Sequence, residues 1–459
     1  MQQLKKGGFT SSIGFILSAA GSAVGLGNIW RFPYLAAKGG GGLFLLIYII
    51  LSLTFGFTLL TTDLAIGRRT GKSSLQAFGE ISKKWKFVGP LTFIVPAIIL
   101  TYYCAIGGWV LKYITVYFTG ASAEAAHPDY FGNFISSYAG PIVMMLIYLS
   151  ITAFIVYKGV EKGVEKFSKI VMPGLIIMIV GICIFTMTLS HDGRSAIDGL
   201  KIYIVPNFEG LTFKKFMTIL LDATGQLFYS LSIAMGIMIT YGSYVSKQDN
   251  LSKSITRIEV FDTGVAFLAG LMVIPAVYVF NGTEGLEANG PGLMFKALPQ
   301  IFNQMGVVGI ILGAIFFIMV AFAALTSSVS IMETIVASIM EKTGKSRKQV
   351  SLWVGIFAAI GAVIVCLGYN LFMFNITLPN GAQAQILDIA DYVSNSVLMP
   401  LIAILTSVLI GWVAKPKWII EELEVSGHKF KKKMLYTVVV KYVAPVMMTI
   451  LLLQALGVF

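Results

Sequence analysis

Several ionisable side chains sit in stretches otherwise made of apolar residues: Arg31, Asp63, Asp222, Asp262, Glu333, Asp388 and Asp391. A charge in such surroundings is costly, so each needs a partner or a task. Asp222 and Asp388 stand near the ends of their stretches, where helix capping is a sufficient reason. Glu333 and Asp262 stand near inner ends, where facing a vestibule is enough. Arg31 and Asp391 fall on the outer side of their stretches and are expected to pair across a pathway. A second constellation is the hydroxyl run Thr326, Ser327 and Ser328. Ala323, Thr326 and Ser327 share one helix face at i, i+3 and i+4. They can offer one carbonyl and two hydroxyls to a cation. Oxygen ligands without full carboxylate charge suit sodium better than calcium. The plainer reading is that such hydroxyls bond back to the preceding turn. Ile331 lies one turn further along that face. Ile99 and Tyr103 are likewise one turn apart, and the Tyr103 phenol can donate to a carboxylate.

The stretch that must position this chemistry is Ser18 to Tyr34, SAAGSAVGLGNIWRFPY. Gly21, Ser22, Ala23, Gly25 and Gly27 are small, and a neutral polar Asn28 and a charged Arg31 follow. Glycine costs roughly 1 kcal/mol per site inside a helix. In hydrocarbon every freed backbone group must also find a partner. A span broken here is expected to wrap its carbonyls and amides around a small ion and a small zwitterion. Close helix packing on small residues is the alternative, and it leaves Asn28 and Arg31 unexplained.

The wider chain fits a membrane setting. Its 459 residues are 56% hydrophobic and 12% charged, with a mean hydropathy of +0.82. Crossing roughly 30 Å of hydrocarbon takes about 20 residues. Stretches of that length lie near 12–37, 41–67, 88–118, 140–157, 168–189, 216–245, 258–280, 306–340, 350–370, 385–414 and 435–457. The net charge of +12 is spread over short loops between them, which argues against nucleic acid. Lysine and arginine crowd alternate loops, placing the N-terminus in the cytoplasm and the C-terminus outside. The expected location is the plasma membrane, as a multi-pass protein. Cys104, Cys183 and Cys366 fall in apolar stretches as free thiols, and His127, His191 and His428 are scattered in loops. With no histidine cluster, GxSxG serine or paired catalytic aspartates in facing spans, an enzyme is not expected. The longest outer loops are 191–215 and 281–304, the second a candidate re-entrant cap.

Internal symmetry organises the rest. The first span is interrupted at AAGSAVGLGN and the sixth, five spans later, at FYSLSIAMG. An odd offset inverts the second copy, and paired breaks in inverted halves mark a midplane site. The fold expectation is therefore an all-α polytopic membrane protein of about eleven transmembrane helices. It has an inverted 5+5 repeat with broken first and sixth helices. A single transporter domain covers 1–457, with a first repeat at 12–190, a second at 216–414, and an eleventh span at 435–457 outside the core.

The motifs GSAVGLGNIWRFPYLAAKGGGG, TYYCAIGGW, DATGQLFYSLS and AALTSSVSIM resemble the neurotransmitter:sodium symporter family, in particular its bacterial amino-acid transporters of the leucine-transporter kind. The likeness implies two sodium sites. The first uses the Ala23 carbonyl, Asn28, Ser230 and Asp262, where the family commonly has asparagine. That fixed charge implies that chloride is not required. The second uses the carbonyls of Gly21, Val24 and Ala323 with the Thr326 and Ser327 hydroxyls. The substrate carboxylate would meet sodium, the Leu26 and Gly27 amides and the Tyr103 phenol. Its amino group would meet carbonyls of Ala23, Tyr229 and Ser230. Ser22, Ile99, Tyr229, Ser232, Met235, Ser327 and Ile331 would line the side-chain pocket. Arg31 with Asp391 implies an outer gate, with Gln226 nearby and Tyr229 as a lid; Lys6 with Glu341 and Tyr244 implies an inner one. Departures from the family are Ala234 for glycine, Asp63 for glutamate and Ile47 for proline.

These readings imply a sodium-coupled secondary active symporter importing a neutral, apolar or aromatic L-amino acid by alternating access, as a monomer or weak homodimer. The alternatives are a proton-coupled permease of the same fold and an amino-acid sensor that does not transport.

Overall fold

The computed structural model describes residues 8–287 and 290–458. The chain is carried by helices: α1 (Ser12–Ala23), α2 (Gly27–Lys38), α3 (Gly42–Thr70), α4 (Lys83–Phe118), α5 (Ala139–Tyr157), α6 (Val160–Thr186), α7 (Phe213–Ser230), α8 (Ile237–Gly242), α9 (Leu251–Asn281), α10 (Val307–Thr343), α11 (Arg347–Leu367), α12 (Ile386–Val413) and α13 (Lys433–Ala455), with short connecting helices left unlabelled. Two antiparallel hairpins of two-residue strands add a little sheet, Ser190 facing Ser195 and Ile376 facing Ala384. Among the described residues nine helices are long and apolar enough to cross a membrane. α1 and α2 make a tenth crossing, bent by 55°. The sixth expected span is again a pair, α7 and α8, parted by residues 231–236. The eleven-segment order expected from hydropathy is recovered. Several helices run past the expected ends, because polar caps and turns continue the helix where the apolar composition stops. α9 starts at Leu251 and not near 258, capped by the Asn250 side chain accepting from Lys253 N at 3.0 Å. α6 starts at Val160 and not near 168, through a charged π-helical turn.

Local chemistry explains where the first crossing begins and breaks. Ser11 caps α1 by accepting from Gly14 N at 3.1 Å. Buried Glu165 of α6 accepts from Thr10 N at 2.8 Å, Thr10 Oγ1 at 2.7 Å and Ser11 Oγ at 3.0 Å. That anchor fixes the start of α1 against α6. At the other end Val24 turns extended (φ −72, ψ 98), and the helix resumes at Gly27. The second break is sharper. Ser232 (φ +53) and Ala234 (φ +61) adopt left-handed backbone, followed by Gly236 (φ +77). Asp63 on α3 holds this segment by accepting from Ala234 N at 3.0 Å.

The two breaks face each other. Ser22 Oγ and Ser232 Oγ are 3.2 Å apart, and Ser232 Oγ donates to Ser22 O at 3.1 Å. Gln226 of α7 donates from Nε2 to Gly27 O at 3.2 Å. The broken backbone is thus satisfied in part by the opposite break. Outward of it, Trp30, Trp109, Tyr113, Phe131, Phe295 and Phe317 form an edge-to-face and stacked aromatic cluster. Phe295, from the short helix Leu293–Ala297, brings the second half of the 281–304 segment into this cluster.

Ala234 does not narrow the central cavity, since it is absent from the cavity lining. Its methyl acts on the backbone, because a non-glycine residue in the left-handed region costs about 1–2 kcal/mol. Ala234→Gly is expected to raise stability by about 1 kcal/mol, seen as a higher melting temperature of detergent-purified protein; a lower one contradicts this account.

Candidate functional site

Two neighbouring cavities share a wall between the helix breaks. The smaller, of about 30 Å³, lies between the breaks and is lined by Ser22, Ala23, Gly25, Leu26, Gly27, Asn28, Ile99, Tyr103, Tyr229, Ser230, Ser232, Met235, Ile237, Ser327 and Ile331. The larger, of about 870 Å³, is an open vestibule that shares Leu26, Tyr103 and Tyr229 with it. No charged side chain lines the smaller cavity. Every residue expected in the side-chain pocket is among its walls. Its volume is far below the roughly 300 Å³ of an ordinary ligand pocket, so occupation requires its walls to part.

The first expected ion set is assembled by α2, α7 and α9. Asn28 Nδ2 donates to Asp262 Oδ1 at 2.8 Å and Ser230 Oγ to the same oxygen at 2.7 Å. Ser230 Oγ lies 3.1 Å from Asn28 Oδ1, which also accepts from Gly25 N at 3.3 Å. Asp262 Oδ2 is buried without a donor. Asp262 is therefore in the centre of the molecule, and the reading that it merely faces an inner vestibule is set aside. The second expected set is formed by α1 and α10. Thr326 Oγ1 donates back toward Ala323 O at 3.0 Å or Phe322 O at 3.1 Å, and Ser327 Oγ donates to Ser22 O at 3.2 Å. The back-bonding expected of such hydroxyls is present, and it leaves the Thr326 lone pairs open. A methyl at Gly21 would sit 3.1 Å from both Met172 Sδ and Thr326 Cβ, so glycine lets α1 approach α10.

Tyr103 Oη is buried without a hydrogen-bond partner at the cavity wall. Facing it, the amides at the start of α2 are helix N-terminal donors with no intrahelical acceptor. A methyl on Gly25 would lie 2.9 Å from Ser327 Oγ and 3.4 Å from Tyr103 Oη. Gly25 is thus required for backbone access to the cavity, which its position among several glycines did not single out. Ser330 was also missed: its hydroxyl donates to Ser22 Oγ at 2.7 Å, or to Ser327 O at 2.8 Å. It extends a serine floor of Ser22, Ser232 and Ser327 that reads in sequence as ordinary helix hydroxyls. The Tyr229 carbonyl accepts from Ser232 N at 3.2 Å in this state.

The outer pair is brought near but not joined. Arg31 and Asp391 both line the vestibule, and no ion pair links them among the described residues. Asp391 Oδ1 accepts from Asn395 Nδ2 at 2.6 Å. The Arg31 guanidinium lies over Gly225, 3.9 Å from where a methyl would be. Asp222, one turn from Gly225, lines the vestibule and does not cap α7, whose first residue is Phe213. Asp388 does cap, accepting from Gln385 N at 3.0 Å.

The opposite end is closed by packed polar side chains, with Tyr244 and Glu341 of the expected set among them. Lys6 lies outside the described residues. Glu341 pairs with Lys72 at 3.3 Å and accepts from Ser73 N at 2.7 Å. Tyr244 Oη donates to Glu333 Oε1 at 2.8 Å, and Arg347 forks onto the same carboxylate at 2.5 and 3.0 Å. Glu333 is fully buried and faces no vestibule. The pairing of Tyr244 with Glu333 spans two helices, so no local spacing could reveal it.

Comparison with known proteins agrees with this geometry. The model of the Sodium:neurotransmitter symporter family matches residues 6–127 and 132–459. An uncharacterized sodium-dependent transporter, YhdH, from Bacillus subtilis is 32% identical, the match covering 100% of this chain and 99% of that protein. An uncharacterized sodium-dependent transporter from Haemophilus influenzae is 31% identical, covering 98% of each. The crystal structure of MhsT in complex with L-phenylalanine superposes with a TM-score of 0.85 at 33% identity, over 98% of this chain and 100% of that one. A chain with two opposed helix breaks, oxygen-rich ion sets beside them and family similarity along nearly its whole length belongs to the sodium:neurotransmitter symporter family, and is a sodium-dependent, multi-span membrane transporter.

Proposed function

We propose that this protein is a symporter that moves a neutral L-amino acid with an apolar or aromatic side chain from the vestibule end to the closed end, driven by sodium. The observation that carries the reading is the central cavity, whose side-chain walls are Ile99, Met235, Ile331 and serines, with no acid or base. A charged substrate side chain there would stand unpaired at a cost of several kcal/mol. The bound L-phenylalanine of MhsT supports the same class. Met235 is flexible and adapts to different shapes.

Two sodium ions are assigned, one at Ala23, Asn28, Ser230 and Asp262 and one at Gly21, Val24, Ala323, Thr326 and Ser327. The Asp262 carboxylate supplies a fixed negative charge, so chloride is not required. The substrate carboxylate meets the Leu26 and Gly27 amides, where the helix dipole favours an anion, together with Tyr103 Oη and the first sodium. A ligand that completes another's site raises its affinity, and the effect is reciprocal. Arg31 moves onto Asp391 to close the vestibule over Tyr229, and Glu333 releases Arg347 and Tyr244 to open the other end. The vestibule end is extracellular and the closed end cytoplasmic, following the lysine-rich loops. The transport core is 12–190 and 216–414, with α13 outside the repeats.

In sealed vesicles the purified protein should accumulate a neutral amino acid only under an inward sodium gradient. Undiminished uptake with potassium in place of sodium, and the proton gradient collapsed, refutes the coupling. Thr326→Ala with Ser327→Ala should weaken the sodium dependence of substrate binding by about tenfold, or 1.4 kcal/mol, with the melting temperature in potassium near native. A native sodium titration removes the second site. Gly25→Ala should lower substrate affinity by at least about tenfold in a folded protein, measured by binding at saturating sodium. Native affinity would show that the backbone at Gly25 is not part of the site.

A further inference from the structure

The buried face of α9 carries a second carboxylate that neither ion set nor gate uses. Glu259 lies one helical turn from Asp262, toward the end of α9 away from the vestibule. It is 2% exposed, and neither Oε1 nor Oε2 has a hydrogen-bond partner. Asp262 Oδ2, also buried, has none either. The charged groups that act on Glu259 are Lys432, from the segment before α13, and Asp262 itself. Lys432 makes no ion pair with it among the described residues; its Nζ sits 3.9 Å from the Phe57 ring centroid, in a cation–π contact. Asp262 only repels it.

An ionised carboxylate held out of water without a donor costs several kcal/mol. Residues at i and i+3 on a helix are about 5–6 Å apart, a short step for a small ion. Two carboxylates with open oxygens at that spacing make a track leading from the first ion set toward the closed end. The ligand they suit is a hard cation, because both offer only carboxylate oxygens, and sodium is the cation assigned to Asp262 above. We propose that Glu259 is a sodium-binding relay: when the closed end opens, it takes the ion from Asp262 and passes it on. This rests on the assignment of sodium to Asp262.

The test is single-turnover release of radiolabelled sodium from protein in proteoliposomes, beside the sodium titration of substrate binding. E259Q should slow sodium release by about tenfold more than it changes that titration, and E259D should recover part of the rate. Native release from E259Q overturns the relay. So does an equal defect in E259Q and K432M that the double variant repairs, because that is the signature of a structural ion pair. A changed pH dependence of transport with native sodium release also overturns it, in favour of a proton on Glu259. If E259Q does not fold, E259D decides: an altered release rate supports the relay and a native rate rejects it. D262N separates the two readings. If it keeps the native sodium titration, the Asp262 assignment falls first; if it loses sodium dependence while E259Q releases at the native rate, the relay alone falls.

Discussion

Backbone left without partners in hydrocarbon is the constraint on which this molecule depends. Each free amide or carbonyl there costs several kcal/mol, yet the chain breaks two spans at the same depth. The local polar residues answer that cost. Asp63 takes the Ala234 amide, Gln226 serves the Gly27 carbonyl, and Ser232 and Ser327 both donate to the Ser22 carbonyl. None of these pairs is local in sequence, so the breaks hold only when α1, α3, α7 and α10 are packed together. What remains open after these bonds is directed at the cavity. A transport site of this kind is the remainder of a hydrogen-bonding problem that the fold solves incompletely.

The same logic distinguishes ligand atoms from scaffold atoms. Asp262 Oδ1 is fully engaged by Asn28 and Ser230, whereas Oδ2 is free. Tyr103 Oη and Gln226 Oε1 are also buried without partners. A buried polar group left unpaired costs about 1–3 kcal/mol. Each therefore weakens the unliganded state and gains more from a ligand than an already paired group could. Ser230 and Asn28 share one carboxylate oxygen, so an ion beside them must compete with their mutual bonds. If sodium binds there as proposed, that competition would moderate its affinity, which favours release.

The spans and breaks were legible because they follow from composition over windows of twenty residues and from glycine clusters. Asn28, Thr326 and Ser327 were legible because hydroxyls and amides are conspicuous in apolar surroundings. Other features were not, for definite reasons. Glu333 reads as a residue near a helix end; its role depends on Arg347 and Tyr244, which only tertiary packing brings together. Gly25 stands among similar glycines, and its necessity lies in the Ser327 and Tyr103 side chains opposite. Asp222 looks like a cap by hydropathy, because it stands near the start of the apolar stretch at 216, whereas α7 begins at Phe213 and puts Asp222 nine residues inside it. The Lys6–Glu341 pairing rests on resemblance and lies outside the described residues on the Lys6 side; the contacts of Glu341 with Lys72 and Ser73, from the segment after α3, follow from no local spacing.

The two ends of the pathway differ in kind. At the vestibule, Arg31 and Asp391 are apart and each has other neighbours, so bringing them together sacrifices little. At the other end, a fully buried Glu333 accepts a forked Arg347 and a Tyr244 hydroxyl. Separating one partner from a buried, hydrogen-bonded pair costs about 3–5 kcal/mol. In the proposed cycle the closed end would therefore yield only when something inside favours the rearranged state by a comparable amount. A ligand can shift such an equilibrium only by its difference in affinity for the two states. Under the function proposed above, an ion and an amino acid drawing α1, α7 and α10 onto a shared cavity would supply that difference together, each meeting open groups the other does not. On that proposal, coupling would follow from the disparity between an outer pair held apart and an inner carboxylate held by two donors.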